Sequence, residues 1–463
     1  MRSYTPDISR ILKSGLRPSE HIKGNGKFLS FVENMQPYID KLVAPAKVTR
    51  FAELNDDADI FCYAIGTYII TASKMYQRET DGSLTVLLNS LPAGGRWFGA
   101  DFGQYVVFGN GSCYLIRNPN TGVFAVDLGI IFPLAGSLAR FRGRLLLGNI
   151  KTGEFTGLSS LMWSDIGRAE FVKTGDLDTN RKNTSGQSYL YRLGEILSIY
   201  NFSDSHFVVY GTKGICVVTP KSVSGAAGAM DFNYIADYGT ATQYTAIETD
   251  RGHYYITPFG RLRMLFYKQG ALTDDELDFR EYIDTTAKLS WSKKDEELVI
   301  GIPPTSPFST GKSYLLNRFG MGSISSYIRA IGERGSQFLV HLPSGAKQLD
   351  ALFTTDILDF DSPGIKEIGF LEIFGTIPDS MYVAVSYRVD RSTAWSYTDW
   401  KRVNQYGVVY LGSAGTEFKI HIAILDYTTI SITSIKPTVT FVDRRFTVGM
   451  RGAVNDSNSE TNP

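Results

Sequence analysis

The sequence predicts an all-β protein: a six- or seven-bladed β-propeller followed by a smaller C-terminal antiparallel β-sandwich or sheet domain. Three observations carry that expectation. Aromatic residues make up 13% of the 463, with 26 Tyr and 28 Phe; beside many Val, Ile and Thr, such side chains pack well on a pleated surface. The 45 Gly suit frequent tight turns. And one pattern, an apolar strand, a Gly-containing turn and a second apolar strand, recurs along the chain.

The recurrences are Phe61–Ala72, Tyr105–Arg117, Leu145–Asn149 with Leu161–Asp165, Phe207–Thr219, His253–Tyr267, Leu298–Pro303 with Tyr314–Phe319, and Phe338–Leu352. Their starts lie about 40–50 residues apart, the length of a four-stranded propeller blade, except for one interval of about 60. That interval holds a polar insertion, Lys173–Ser188, read as a loop on one rim. A short antiparallel sheet has two apolar faces and cannot hide both alone; stacking such sheets radially buries them.

Four segments follow. Residues 1–50, broken by Pro6, Pro18, Pro37 and Pro45, read as an extended arm with nine Lys/Arg against four Asp/Glu. Residues 51–352 are the expected propeller. Asp356–Gly364 reads as an acidic linker into a sandwich or sheet domain over 353–443. Its strands are Ile365–Phe374, Met381–Val389, Thr416–Leu425 and Thr429–Val442, with Phe418, Ile420, Ile422 and Ile424 on one face and Lys419 and His421 on the other. Residues 444–463 form a polar tail whose end, Asn455–Pro463, has the composition of a disordered segment; order there requires a neighbouring chain.

Lys+Arg and Asp+Glu are both 47, so the net charge is zero, which argues against a grip on nucleic acid over the whole surface. Cys62, Cys113 and Cys216 are too few and too irregularly spaced for a disulfide framework and read as small buried hydrophobes in a reducing compartment. No apolar run reaches the ~20 residues of a membrane helix, and the Met1–Pro6 start lacks a signal-peptide core.

Short motifs reduce to turns. Gly311-Lys312-Ser313 lacks the earlier P-loop glycine, because Ser306 stands there. Gly24-Asn25-Gly26 and Gly109-Asn110-Gly111 lack the third glycine of a dinucleotide fingerprint, and the second reads as a hairpin turn. Ser164-Asp165-Ile166-Gly167 occurs once and reads as an Asx-type turn. The acidic groups Asp56/Asp57/Asp59, Asp274/Asp275/Glu276/Asp278 and Asp356/Asp359/Asp361 read as solvated turns. His21, His206, His253, His341 and His421 share no metal-ligand spacing. Trp395, Tyr397 and Trp400 read as packed strand residues rather than a carbohydrate platform. The expectation is therefore no enzyme, no cofactor and no assigned catalytic, cofactor-binding or metal residue.

The order of elements does carry a resemblance. Asn34-Met35-Gln36-Pro37 precedes the repeats; Arg140–Leu147 (RFRGRLLL), Trp163-Ser164-Asp165 and Ile196–Thr212 follow in mid-repeat; alternating strands end the chain. This order resembles the tail nozzle, or packaged-DNA stabilisation, proteins of short-tailed phages, over most of the chain. The resemblance implies a structural virion protein made in the host cytoplasm, forming a hexameric ring below the portal and adaptor rings that closes or conducts the DNA channel. It implies an adaptor ring as partner, a tail fibre, spike or needle as a further one, and transient passage of double-stranded DNA. On that reading the basic arm, residues 1–20 in particular, contacts the adaptor ring. The alternative is a propeller glycosidase or polysaccharide-binding protein; facing carboxylates at one propeller mouth would favour it, and a filled centre would not.

Overall fold

The computed structural model describes residues 3–9, 29–44, 61–62, 68–81, 83–102, 105–171, 184–221, 229–277, 283–293, 296–305, 311–331, 338–341, 350–425 and 430–442. Strands dominate, and the helix among the described residues is one 3-10 turn, Tyr191–Leu193. No helix there is long and apolar enough to cross a membrane. The chain forms two compact units, one of residues 47–311 and 326–341, the other of residues 1–46, 312–325 and 342–463.

The first unit is the propeller. Blade one comprises Phe61–Cys62, Tyr68–Ile70, Met75–Arg78 and Leu84–Leu88; blade two Phe98–Phe102, Tyr105–Gly109, Tyr114–Arg117 and Phe124–Asp127. Blade three is Ala135–Phe141, Arg144–Ile150, Gly157–Trp163 and Gly186–Tyr189; blade four Ile196–Asn201, Phe207–Gly211, Ile215–Pro220 and Met230–Ala236. Blade five is Ala246–Thr249, Gly252–Ile256, Leu262–Lys268 and Ala271–Glu276. Blade six contributes the hairpin Lys288–Ser292 and Glu297–Ile302 to this unit, and blade seven the hairpin Tyr327–Ile331 and Phe338–His341.

The first strands of successive blades pack on one another from blade two to blade seven, and that of blade seven packs on Phe61–Cys62 of blade one. A shared apolar cluster then joins blade one (Ile70, Met75) to blade two (Phe108, Leu115) and completes the circle. Among the described residues the expected six or seven blades are thus seven. The interfaces from blade one to blade five are shared cores: Phe141, Trp163 and Leu146 of blade three meet Phe207, Val209 and Cys216 of blade four, and Val208 and Tyr210 of blade four meet Tyr255 and Leu265 of blade five. The middle strands are covered on both faces, so Arg144–Ile150 and Phe207–Gly211 are buried along their whole length. Hence the repeat visible in the sequence is mostly the middle hairpin of each blade.

The second unit is a sandwich of two six-stranded sheets. One runs Gln36–Tyr38, Lys41–Val43, Ser431–Phe441, Lys366–Thr376, Val408–Gly415, with Ser3–Tyr4 on Ser431–Phe441. The other runs Leu29–Glu33, Ala351–Thr355, Glu417–Ile424, Met381–Arg388, Ser396–Tyr397, with Lys401–Arg402 also on Met381–Arg388. The expected alternation holds: Phe418, Ile420, Ile422 and Ile424 are wholly buried, as are Ile432, Ile435 and Val439 of the other sheet.

Three expectations are corrected here. The described part of residues 1–50 is no free arm: Ser3–Tyr4, Leu29–Glu33 and Lys41–Val43 pair with strands some 310–440 residues later. Asn34, at φ 57, donates its amide to Ser325 Oγ and the Asp350 carbonyl and accepts from the Ser325 N–H at 2.9 Å. Ile8 is buried against the last strand, and Tyr4 stacks on Phe441. Asp356–Gly364 is no linker, because Ile357, Leu358 and Phe360 are buried and Leu358 exchanges backbone hydrogen bonds with Phe418. Finally, Ala351–Thr355, which takes in the end of the last expected repeat, lies within the sandwich unit. Most of the Lys173–Ser188 insertion, residues 10–28 and 45–60, and the tail over 444–463 lie outside the described residues.

Candidate functional site

The blades share one strand direction at the axis, so their first-to-second turns gather at one mouth of the propeller. In blade three the turn is Arg142-Gly143, both at positive φ (46 and 72), closing the Phe141–Arg144 pair. Such a two-residue turn needs left-handed backbone at both positions. It puts Arg140 and Arg142 outward while Phe141 enters the blade core. In blade four the turn spans Phe202–His206 between Asn201 and Phe207, and in blade five Asp250-Arg251 joins Thr249 to Gly252.

These turns enclose a cleft of about 710 Å³, lined among others by Arg140, Arg142, Asp204, Glu248, Asp250 and Arg251. That volume is within the ~300–1,000 Å³ usual for small-ligand pockets. Arg140 donates to the Asp101 carbonyl at 2.9 Å, and Arg142 to the Asp204 carbonyl. Neither makes an ion pair among the described residues, so both guanidiniums keep free donors. Arg251 is paired with Glu296 at 2.6 Å. Asn201 Oδ1 is buried without a hydrogen-bond partner.

Desolvation in the cleft pushes the Glu248 carboxyl up to about 7; the Asn201 N–H, donated at 3.2 Å, pulls it down, and the Asp250 charge adds to the rise. The side chain is exposed at the mouth, where water screens part of that effect. One wall is aromatic. Tyr267, 46% exposed, shares a 2.6 Å hydrogen bond with His206 Nε2, and Phe202 meets its ring edge-on at 5.1 Å. Beneath them His253 is held between Tyr210 Oη at 3.0 Å and the Asn201 carbonyl at 2.5 Å, and burial pushes its pKa down to about 4.

Below the mouth the centre narrows. A smaller space of about 200 Å³ is lined by Arg96, Asp101, Arg140, Tyr200, Asn201 and Glu248, among others. Arg96, 6% exposed, leaves blade two and crosses to blade five, where Nη1 donates to the Gln243 and Ala246 carbonyls at 2.6 and 3.0 Å. Tyr200 of blade four donates to the same Ala246 carbonyl at 2.8 Å. Arg96 and Tyr200 thus tie blades two, four and five together at this level.

Other sequence candidates resolve individually. Asn110 Oδ1 accepts the Ser112 and Cys113 N–H groups beside Gly111 at φ 82, the expected hairpin turn. Asp165 accepts from Thr184 N–H and Oγ1 at 2.8 and 2.7 Å and so ties the third strand of blade three to its fourth. Lys312 opens a strand and its ammonium sits 4.5 Å from the Tyr314 ring. Cys113 and Cys216 are buried free thiols, pushed up by burial to about 11 and 12.

Two expectations about side chains need correction. Asp274, Asp356 and Asp359 are not solvated. Asp274 accepts from Tyr238 and Tyr255 at 2.8 and 2.7 Å and pairs with Arg263 at 3.1 Å, and Asp356 and Asp359 are buried in the sandwich. Trp395 is packed as expected, 4.4 Å from Arg388 and 5.1 Å from Lys419, but Tyr397 and Trp400 are exposed beside His421. His21, Asp56, Asp57, Asp59, Asp278 and Gly24–Gly26 lie outside the described residues, and no group of three His, Cys, Asp or Glu could hold a metal among those described.

Sequence reasoning missed the mouth cleft. Arg140 and Arg142 stood inside a quoted segment, but nothing local linked them to Asp204 or Glu248.

No family model matches the chain, and no curated protein matches it. Among solved structures it is similar to the β-propeller domain of Cps50 (Swd1) from Myceliophteria thermophila, at 10% identity and TM-score 0.38, over 65% of this chain and 93% of that one. It is also similar to the extracellular domain of a putative hybrid two-component system from B. thetaiotaomicron, at 13% identity and TM-score 0.38, over 79% of this chain but 46% of that one. Apo AztD from Citrobacter koseri is similar at 9% identity and TM-score 0.36, over 68% of this chain and 98% of that one. At this distance the likenesses bear on neither site nor activity; the propeller rests on the circular packing of the seven blades.

Proposed function

We propose that this chain is a structural subunit of a short-tailed phage tail, the nozzle below the portal and adaptor rings. One observation carries the reading. Asn34-Met35-Gln36-Pro37, which the family resemblance places ahead of the repeats, is built into the sandwich, where Asn34 clasps Ser325 and Asp350 and Met35 bridges Ser323. The sequence elements behind the resemblance thus fall in two folded units, a propeller and a sandwich. On this reading the DNA channel is formed between subunits of a homohexameric ring, whose neighbours meet through two different surfaces. The particle mass tests it: mass photometry of the purified protein is expected to give a ring of about six chains, and monomer alone at micromolar concentration would overturn it.

The second reading, a polysaccharide-binding propeller, is favoured by the mouth cleft, where carboxyl and guanidinium groups converge beside an aromatic wall. Binding there is compatible with a structural role.

A further inference from the structure

The geometry points to a binding site for a carboxylated sugar in the mouth cleft of blades three to five. This gives the second reading a ligand class; it rests on the cleft and is independent of the ring.

Four features select that class. Arg140 and Arg142 each spend a donor on a backbone carbonyl and keep others free, and a guanidinium fork matches a carboxylate in two parallel hydrogen bonds. The same cleft holds Glu248, Asp250 and Asp204, which accept hydrogen bonds from hydroxyl groups. A sugar's hydroxyl groups can donate to these carboxyl oxygens and a phosphate dianion cannot, so a hydroxyl-rich ligand carrying one carboxylate per ring is favoured over inorganic phosphate. Asn201 also lines the cleft, and its Oδ1 is buried there without a partner among the described residues, an arrangement that costs free energy unless a donor arrives. Finally, Tyr267 is fixed by His206 and Phe202 with nearly half its surface open, which offers a rigid face for the apolar side of a sugar ring.

The residues come from three blades, yet each is set by a turn of fixed register. The site is therefore held ready without ligand, which lowers the ordering cost of binding.

Calorimetry on the full-length protein with digalacturonate, a neutral disaccharide and inorganic phosphate tests this. Saturable binding of digalacturonate is expected, with at least tenfold weaker binding of the neutral sugar and of phosphate. Arg140→Ala and Arg142→Ala are each expected to weaken digalacturonate binding about tenfold with an unchanged melting temperature, since both side chains are exposed. Arg140→Lys keeps the charge but not the fork and should weaken it nearly as much, so it serves if the alanine variant folds poorly. No saturable binding, equal binding of the neutral sugar or of phosphate, or wild-type affinity in the Arg140 and Arg142 variants would each overturn the site. None of these outcomes touches the ring, which the particle mass tests separately.

Discussion

The propeller and the sandwich reach similar all-β cores by opposite routes along the chain. A blade pairs strands that follow one another: Phe207–Gly211 bonds to Ile215–Pro220 across a tight turn. The sandwich pairs Leu29–Glu33 with Ala351–Thr355 and Ser3–Tyr4 with Ser431–Phe441, across the whole intervening propeller. Local pairing loses little loop entropy per contact, whereas distant pairing must close a loop of some 320 residues before its contacts repay it. The difference teaches where each unit is vulnerable: the propeller in its core and its few cross-axis ties, the sandwich at its N-terminal edge strands.

Removing residues 1–43 should break the comparison most visibly. It takes the outer strands from both sheets and exposes the unpaired edges of Ala351–Thr355 and Ser431–Phe441. Hydrogen exchange is expected to show those two strands losing protection while blades two to five keep theirs. Retained protection in the sandwich would mean that its core stands without the distant segments.

A point change sharpens the same contrast from the other side. Arg96 is the propeller's own distant tie, joining blade two to the Gln243 and Ala246 carbonyls. Arg96→Ala takes the donor from the Gln243 carbonyl, while Tyr200 still serves that of Ala246, and is expected to cost the propeller on the order of 3 kcal/mol, read as an earlier melting step with the sandwich step unchanged.

Acid should affect both units to a smaller and similar extent. Burial holds His253 of the propeller and His421 of the sandwich at about 4, with Lys419 adding to the shift at His421. In the unfolded chain each titrates near 6.5. Between those values the unfolded state binds more protons, so stability falls as pH drops below about 6.5, and the loss is complete below about 4. It amounts to at most about 3 kcal/mol per histidine, less at His421, which keeps some solvent contact. Denaturant melts at pH 7 and pH 4.5 on His253→Phe and His421→Phe would show it: each variant should lose less stability on acidification than the parent.

The propeller was legible in the sequence because strands covered on both faces read as unbroken apolar runs, as in Leu145–Leu147 and Phe207–Tyr210. The sandwich's later strands were legible from strict alternation at Phe418–Ile424. Gln36-Pro37-Tyr38 was not: it is three residues with a proline, paired with Lys41–Val43, which the last strand holds in turn. The mouth cleft was hidden for a related reason. Arg140, Asp204 and Glu248 are single charged residues at turns, the commonest place for charge, and only the circular packing of blades gathers them.

The clasp of Asn34 and its neighbours also sets a clock. During synthesis Leu29–Glu33 emerges well before Ala351–Thr355, its partner. At the ~5–20 residues per second of translation, that delay is about 15–60 seconds. The blades, made of neighbours, can close in succession within that time, while the first strands of the sandwich wait with bare edges. A nascent chain stalled before residue 350 should therefore hold a folded propeller and an N-terminal segment still open to protease, and the last step of folding should be the return of the beginning of the chain to its end.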